Sequence, residues 1–312
     1  MTRIICGVDV SSKQLDARIG REGCFARFDN NPEGVAALAG FCREQGVALA
    51  VMEATGGYEK KPFALLWSHG VKAALVNPRS VRRFAEAMGR LEKTDRIDSG
   101  MIAWFAEAKG IEPTPPASEI QGRLAALVVR LGQLTDLKTA QNNQRRLVED
   151  SAVRKGFDAL MLLITRQMRA LERQIVELID SDPLWSRLDQ AFRSTKGVAD
   201  RTVARIMAQL PEIGMFSGKA ITKLVGLAPI ARDSGKTTGK RAVRGGRSGV
   251  RATLYIIALG VCRFDADFAA FRDRLVAAGK PKKVIRTALA HKLLVRLNAK
   301  AREVRASLAL AV

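Results

Sequence analysis

Over its first 110 residues the chain alternates short, β-branched apolar runs with stretches of helical periodicity, and this alternation restricts the region to an α/β sheet. Runs at residues 3–10, 15–19 and 24–29 read as strands. The polar turn Ser11-Ser12-Lys13 joins the first two and Asn30-Asn31-Pro32 ends the third, which predicts an antiparallel meander. Asn31 and Pro32 also suit the N-cap and first position of a helix carrying Val35, Leu38 and Phe41. A strand at 47–52, a helix over 57–69, a strand at 73–76 and helices through Arg83 and Ile102 complete the region.

Acidic residues sit at chosen places in this pattern. Asp9 closes the first strand, and Glu53 ends the fourth just before the turn Ala54-Thr55-Gly56-Gly57. Two strand-end carboxylates can converge beside one sheet edge. Asp95 and Asp98 are three positions apart, which on a helix places both on one face about 5–6 Å from each other. Each alone also fits a turn former or a helix cap.

The rest of the chain is strongly basic. With 52 Lys+Arg against 31 Asp+Glu, the net charge of +21 calls for a polyanionic partner, first of all nucleic acid. Clustered carboxylates in such a chain repel one another unless a cation neutralises them, so Mg²⁺ or Mn²⁺ is the expected cofactor. Cys6, Cys24, Cys42 and Cys262 lack ligand-like spacing and read as free thiols of a reducing cytoplasm. His69 and His291 stand in no motif, which leaves no Ser-His-Asp triad in view. No apolar run approaches the roughly 20 residues a membrane span needs, so a cytoplasmic protein is expected.

From Glu119 to about Asp180 the pattern changes to long helices. Ile120, Leu124, Leu127, Leu131 and Leu134 form one heptad seam, and Phe157, Met161, Ile164, Met168, Leu171, Ile175 and Leu178 form another. An antiparallel pair within one chain and a coiled coil between subunits both fit. Pro113, Pro115 and Pro116 precede this segment and Asp182-Pro183 closes it, which predicts three regions: 1–112, 117–182 and 184–312. The last is helical. Around Gly197 it resembles a helix-hairpin-helix turn, with a tight helical corner as the simpler reading.

Further along, GLAPIARDSGKTTGKRAVRGGRSGVRATLY brings together Arg232, Lys236, Lys240, Arg241, Arg244, Arg247 and Arg251 with five glycines between residues 230 and 251. A cationic loop of this kind can wrap a phosphate and stabilise charge that develops on it. Ser234 lies within it, as do Thr237, Thr238 and Ser248, and a solvated basic turn is the plain alternative. Arg79, Arg82 and Arg83 form a second basic group on a helix before Asp95, also suited to phosphate contact. Trp104 and Tyr255 read as core residues, and no platform for stacking bases is evident.

GVDVSSKQLDA, VMEATGGYE, LVNPRSVRRFAEAMGRLEKTDRIDS and the Gly-rich segment, in this order, resemble transposases of the insertion-sequence 110 family across nearly the whole chain. That resemblance implies an RNase-H-like (RuvC-like) N-terminal domain whose metal-binding acidic tetrad falls on Asp9, Glu53, Asp95 and Asp98. It implies a mainly α-helical C-terminal domain whose serine nucleophile falls on Ser234. It also implies recombination of DNA at element ends and target through a phosphoserine intermediate and guidance by a structured noncoding RNA, while the heptad seam points to a homo-oligomer, dimeric or tetrameric. The competing expectations are a RuvC-like nuclease or resolvase that uses water, an actin-like ATPase suggested by GVDVSS, and a non-catalytic nucleic-acid-binding protein.

Overall fold

Strand β1 (Ile5–Val10) runs through the middle of a five-stranded sheet. Antiparallel neighbours β2 (Gln14–Ile19) and β3 (Phe25–Asp29) lie on one side of it, and parallel neighbours β4 (Leu49–Glu53) and β5 (Ala73–Val76) on the other, in the order β3-β2-β1-β4-β5. A meander followed by crossover connections to parallel strands produces this mixed sheet, and the order is consistent with the expected RNase-H-like arrangement. The computed structural model describes residues 3–90, 95–231, 233, 234, 239 and 241–310, with the side chains of residues 95 and 96 outside the description. The chain divides into two units at Ala117/Ser118.

In the first unit, strand alternation sends Cys6, Val8 and Val10 to one face of the sheet, where they meet Val35, Leu38 and Cys42 of α1 (Pro32–Glu44) and Phe63 and Leu66 of α2 (Lys60–Ser68). Ile5, Leu49 and Val51 point to the other face. There they pack under Val81 and Ala85 of α3 (Pro78–Ala87) and Ile102 and Ala106 of α4 (Asp95–Lys109). Asn31 caps α1 by accepting from the Gly34 amide, and Asn77 caps α3 by accepting from Arg79, each cap contributing about 1 kcal/mol. Helix α2 begins at Lys60 and not at Gly57. Gly56 and Gly57 hold φ of 82° and 130°, which a helix cannot accommodate. Arg21 covers the Trp104 ring at 3.6 Å and Phe84 meets its edge, so Trp104 is a packing residue as expected.

The second unit is helical. Helices α5 (Glu119–Arg145) and α6 (Ser151–Asp180) pair within the one chain, and Arg145 closes their far end with a two-pronged ion pair to Asp158. Leu124, Leu131 and Leu134 of the first seam and Ile164, Met168 and Ile175 of the second are buried. They are continuous with a core formed by α7 (Pro183–Arg193), α8 (Asp200–Gln209), α9 (Gly218–Val225), α10 (Ser248–Val261), α11 (Ala266–Ala277) and α12 (Lys282–Ala309). Helix α12 supplies the centre of that core through Leu289, Leu293, Leu294 and Leu297, each worth roughly 1.5–3 kcal/mol of burial. Its buried Asn298 accepts from the Gly214 amide and donates to the Phe216 carbonyl.

At the α7–α8 corner, Gly197 has φ of 93° and a side chain there would press on the α10 backbone at Val261. Asp200, in the first turn of α8, pairs with Arg193. Cys6, Cys42 and Cys262 are buried and all four cysteines are free. A hydrogen bond with Cys42, together with burial, pushes the Cys6 thiol up, and burial does the same for Cys262, so neither is readily ionised. Among the described residues no helix is long and apolar enough to cross a membrane.

Candidate active-site elements

The parallel register of β1 and β4 pairs Ile5 with Leu49 and Val8 with Met52, a constant offset of 44 positions. Continued by one residue, the register brings Asp9 abreast of Glu53 at the strand spacing of about 4.8 Å. On the other side β1 pairs Asp9 with Asp16, and β2 pairs Asp16 with Arg27. One row across the sheet therefore reads Glu53, Asp9, Asp16, Arg27, all on the face that carries α3 and α4. Directly opposed like charges are destabilising. The Arg27 guanidinium meets this by binding the buried Asp16 carboxylate at 2.6 Å. Asp9 itself accepts from the Val10 amide at 3.0 Å.

Helix α4 packs closely on β1 two residues before this row, where the strand carries a glycine. A Cβ on Gly7 would overlap the Ser99 carbonyl oxygen and stand 2.6 Å from the Ala103 nitrogen. Without that close approach Asp98, the neighbour of Ser99, could not reach the strand-end carboxylates. Asp9, Glu53 and Asp98 do line one cavity of about 690 Å³. Arg79, Arg82 and Arg83 of α3 line it too, with Arg82 also paired to Glu86 at 3.2 Å. Asp95 occupies the first position of α4, but its side chain lies outside the described residues.

The donors suit a hard divalent cation, since carboxylate oxygens are what Mg²⁺ and Mn²⁺ take. Three of the four expected carboxylates share the cavity. Among the described residues, no three acidic, histidine or cysteine side chains are close enough to hold an ion as they stand. The carboxylates that share the cavity suit such an ion in donor chemistry.

A residue the sequence did not single out fixes the turn after Glu53. Glu59 is buried, and its Oε2 accepts from the Gly57 amide at 2.8 Å, the Thr55 amide at 3.1 Å and the Thr55 hydroxyl at 3.3 Å. Thr55 lines the carboxylate cavity. Glu59 thus acts through the turn as a positioning residue. Replacing Glu59 with Ala orphans the two amides and is expected to destabilise the first unit by about 1–3 kcal/mol, while Glu59→Gln keeps an acceptor and most of the stability. Thermal melts of the two variants check this, and equal melting of Glu59→Ala and wild type would remove the role.

In the second unit the Ile230 amide donates to the Ala242 carbonyl at 3.0 Å, a bridge that closes a loop containing Ser234. Ser234 is exposed. Two turns pin the stems of this loop. A Cβ on Gly226 would overlap the Gly245 carbonyl, and one on Gly246 would overlap the Gly226 nitrogen, so these glycines are required for close packing as well as for their φ of 78° and 63°. Arg251 ties the same crossing by donating to the Val225 carbonyl at 3.2 Å and to that of Gly245. Arg247 forms a two-pronged ion pair with Glu212 and donates to the Gln209 carbonyl. Both guanidinia are thus engaged within the protein. Arg241, 3.7 Å from Asp233, and Arg244 are exposed on the loop stem, whereas Arg232, Lys236 and Lys240 lie outside the described residues.

Carboxylates and arginines around one cavity are the equipment of enzymes that act on phosphodiesters. Comparison with known proteins makes the class specific. Residues 6–149 match the DEDD transposase family of IS110 elements, and residues 189–273 match the Transposase IS116/IS110/IS902 family. The chain is 25% identical over 313 aligned positions to the pilin gene-inverting proteins of Moraxella bovis and of Moraxella lacunata, covering 94% of each chain. It is also 28% identical over 204 positions to an uncharacterised IS110 insertion-element protein of Streptomyces coelicolor, covering 59% of this chain and 47% of that one. The chain belongs to the IS110 family of transposases, and is a DNA transposase/recombinase.

Proposed function

We propose that this transposase cuts and rejoins DNA at element ends and target through a covalent phosphoserine on Ser234, assisted by a divalent cation on Asp9, Glu53, Asp95 and Asp98. The observation that carries the reading is the shared cavity of Asp9, Glu53 and Asp98 beside Arg79, Arg82 and Arg83. For the serine, the support is its exposure on a basic loop whose stems are held by the Gly226 and Gly246 crossing.

In the first step the Ser234 Oγ–P bond forms as one P–O ester bond of the strand breaks. The hydroxyl proton leaves to solvent and the departing strand oxygen takes one up. In the second step the hydroxyl of another strand attacks the phosphoserine, which restores the serine and closes a new phosphodiester. Bond energy is conserved throughout, and no water is consumed. A bound Mg²⁺ or Mn²⁺ supplies Lewis-acid polarisation of the phosphoryl oxygen. The Arg79, Arg82 and Arg83 side chains hold DNA phosphates near the carboxylates, and Arg241 and Arg244 do so at the loop, which makes binding steeply salt-dependent. The relatives' name, pilin gene-inverting protein, fits rejoining as well as cutting.

An element-encoded structured RNA is the proposed guide, in keeping with the +21 charge and the few aromatic side chains for reading bases. The active particle is a homo-oligomer, for which the exposed Leu147, Val153, Leu162 and Leu163 near the α5–α6 turn provide apolar surface. Ser234→Ala is the test of the serine step. With element-end DNA, guide RNA and Mg²⁺, it should lose both strand cutting and joining. Retained cutting without joining would instead point to water as the nucleophile.

A further inference from the structure

A second cavity, of about 540 Å³, opens at the root of the serine loop. One wall is built from both stems of that loop, Pro229 on the way in and Arg241, Ala242 and Val243 on the way out. The facing wall comes from Phe271 of α11 and from Ala288 and His291 of α12, with Lys283 and Lys292 among the lining residues. The volume is that of a small-molecule site. Among the described residues three cations and no carboxylate line it, although Arg241 also lies 3.7 Å from Asp233. Lys292 donates to the Asp267 carbonyl at 2.8 Å and sits 5.0 Å from the centre of the Phe271 ring.

These features combine an apolar, aromatic-lined hollow with positive charge at its edge. A nucleotide has the complementary shape, with a flat base that buries its faces and a phosphate that needs cations. His291 adds specificity of hydrogen bonding. Burial lowers its pKa, so at neutral pH the imidazole is uncharged and offers one donor and one acceptor to a base edge. The loop also places the cavity near the reaction. Ser234 is four residues beyond Ile230, whose amide closes the stem, so its Cα lies at most about 14 Å from that bridge, two nucleotides' reach along an extended strand.

We propose that this cavity receives one unstacked nucleotide of the DNA strand engaged by the serine loop, with its base between Phe271 and the loop stem and its phosphate at Arg241 and Lys283. The proposal rests on the reading that the loop handles DNA. A base seated here would fix the register of the strand and so choose which phosphate meets Ser234. Unstacking is cheapest in single-stranded or distorted DNA, so such strands should bind best.

The test measures binding by full-length protein of an oligothymidylate, an abasic strand of the same length and an oligouridylate at one salt concentration. Ala288 and Thr287 are only partly buried on α12, so Ala288→Leu and Thr287→Leu fill the cavity at little risk to the fold. Wild type should bind oligothymidylate roughly fivefold or more tightly than the abasic strand. Both filled variants should lose that preference while binding the abasic strand as wild type does. Equal binding of the two DNA strands by wild type, or a preference that survives filling, would overturn the proposal. So would a filling-sensitive preference confined to oligouridylate, which would assign the cavity to RNA. Ser234→Ala should keep the base preference, so failure of the serine step and failure of this pocket give different results.

Discussion

Asp9→Asn should abolish strand cleavage, with a loss of roughly 10²–10³-fold or more, the scale on which a single electrostatic contact to the reacting group acts. The substitution keeps the shape of the side chain and the acceptor for the Val10 amide. It removes the charge at the centre of the row Glu53, Asp9, Asp16. The diagnostic difference appears on adding Mg²⁺. Wild type should gain thermal stability in proportion to how far the ion exceeds its dissociation constant, and Asp9→Asn should gain little. Thermal scans across a Mg²⁺ series, alongside cleavage assays, check both halves. An Mg²⁺-induced rise that is equal in the two proteins would separate Asp9 from metal binding.

The second large effect is expected at a residue with no side chain. In Gly7→Ala the new methyl would overlap the Ser99 carbonyl, which belongs to the backbone of α4 and cannot swing aside as a side chain could. The helix must lift off the sheet. Overpacking of this kind costs about 1–3 kcal/mol or more, which corresponds to a fall in Tm of roughly 5–15 °C for a unit this size. Activity should fall further than stability does, because lifting α4 carries Asp98 away from Asp9 and Glu53. Gly40→Ala is the matched control. It lies inside α1 with open space around its Cβ position, and should stabilise the protein by about 0.5–1 kcal/mol. Equal melting and cleavage for Gly7→Ala and wild type would contradict the close crossing of α4 over β1.

The fold of the first unit could be read in the sequence wherever local chemistry decided it. The meander, the Asn31 cap and the strand-end positions of Asp9 and Glu53 all follow from period-two alternation and turn residues. Both heptad seams were legible as well, but heptads alone could not say whether the partner helix came from the same chain; α5 and α6 do pair within it.

What escaped the sequence depends on register or on distant partners. Asp16 looks like any polar strand residue until the antiparallel register sets it opposite Asp9 and beside Arg27. Gly7 looks like an unremarked glycine in a strand until α4 is laid across it. Glu59 stands six positions after Glu53, and only the left-handed Gly56 and Gly57 turn the intervening chain so that its carboxylate meets the Thr55 and Gly57 amides. Arg247 and Arg251 belong to the same basic run as Arg241 and Arg244, yet Glu212 and the Val225 and Gly245 carbonyls engage them. Glycines of that run serve close packing at the loop stems, a demand that flexibility alone does not impose.

The central claim is that a serine, and not water, takes the scissile phosphate. The direct measurement is to incubate the protein with element-end DNA, its guide RNA and Mg²⁺, denature, digest with protease and identify by mass spectrometry any peptide that carries a nucleotide. The account predicts a phosphodiester adduct on the peptide containing Ser234, absent from Ser234→Ala and from Asp9→Asn. Recombination that proceeds with no adduct, or an adduct on another residue that survives Ser234→Ala, would contradict it.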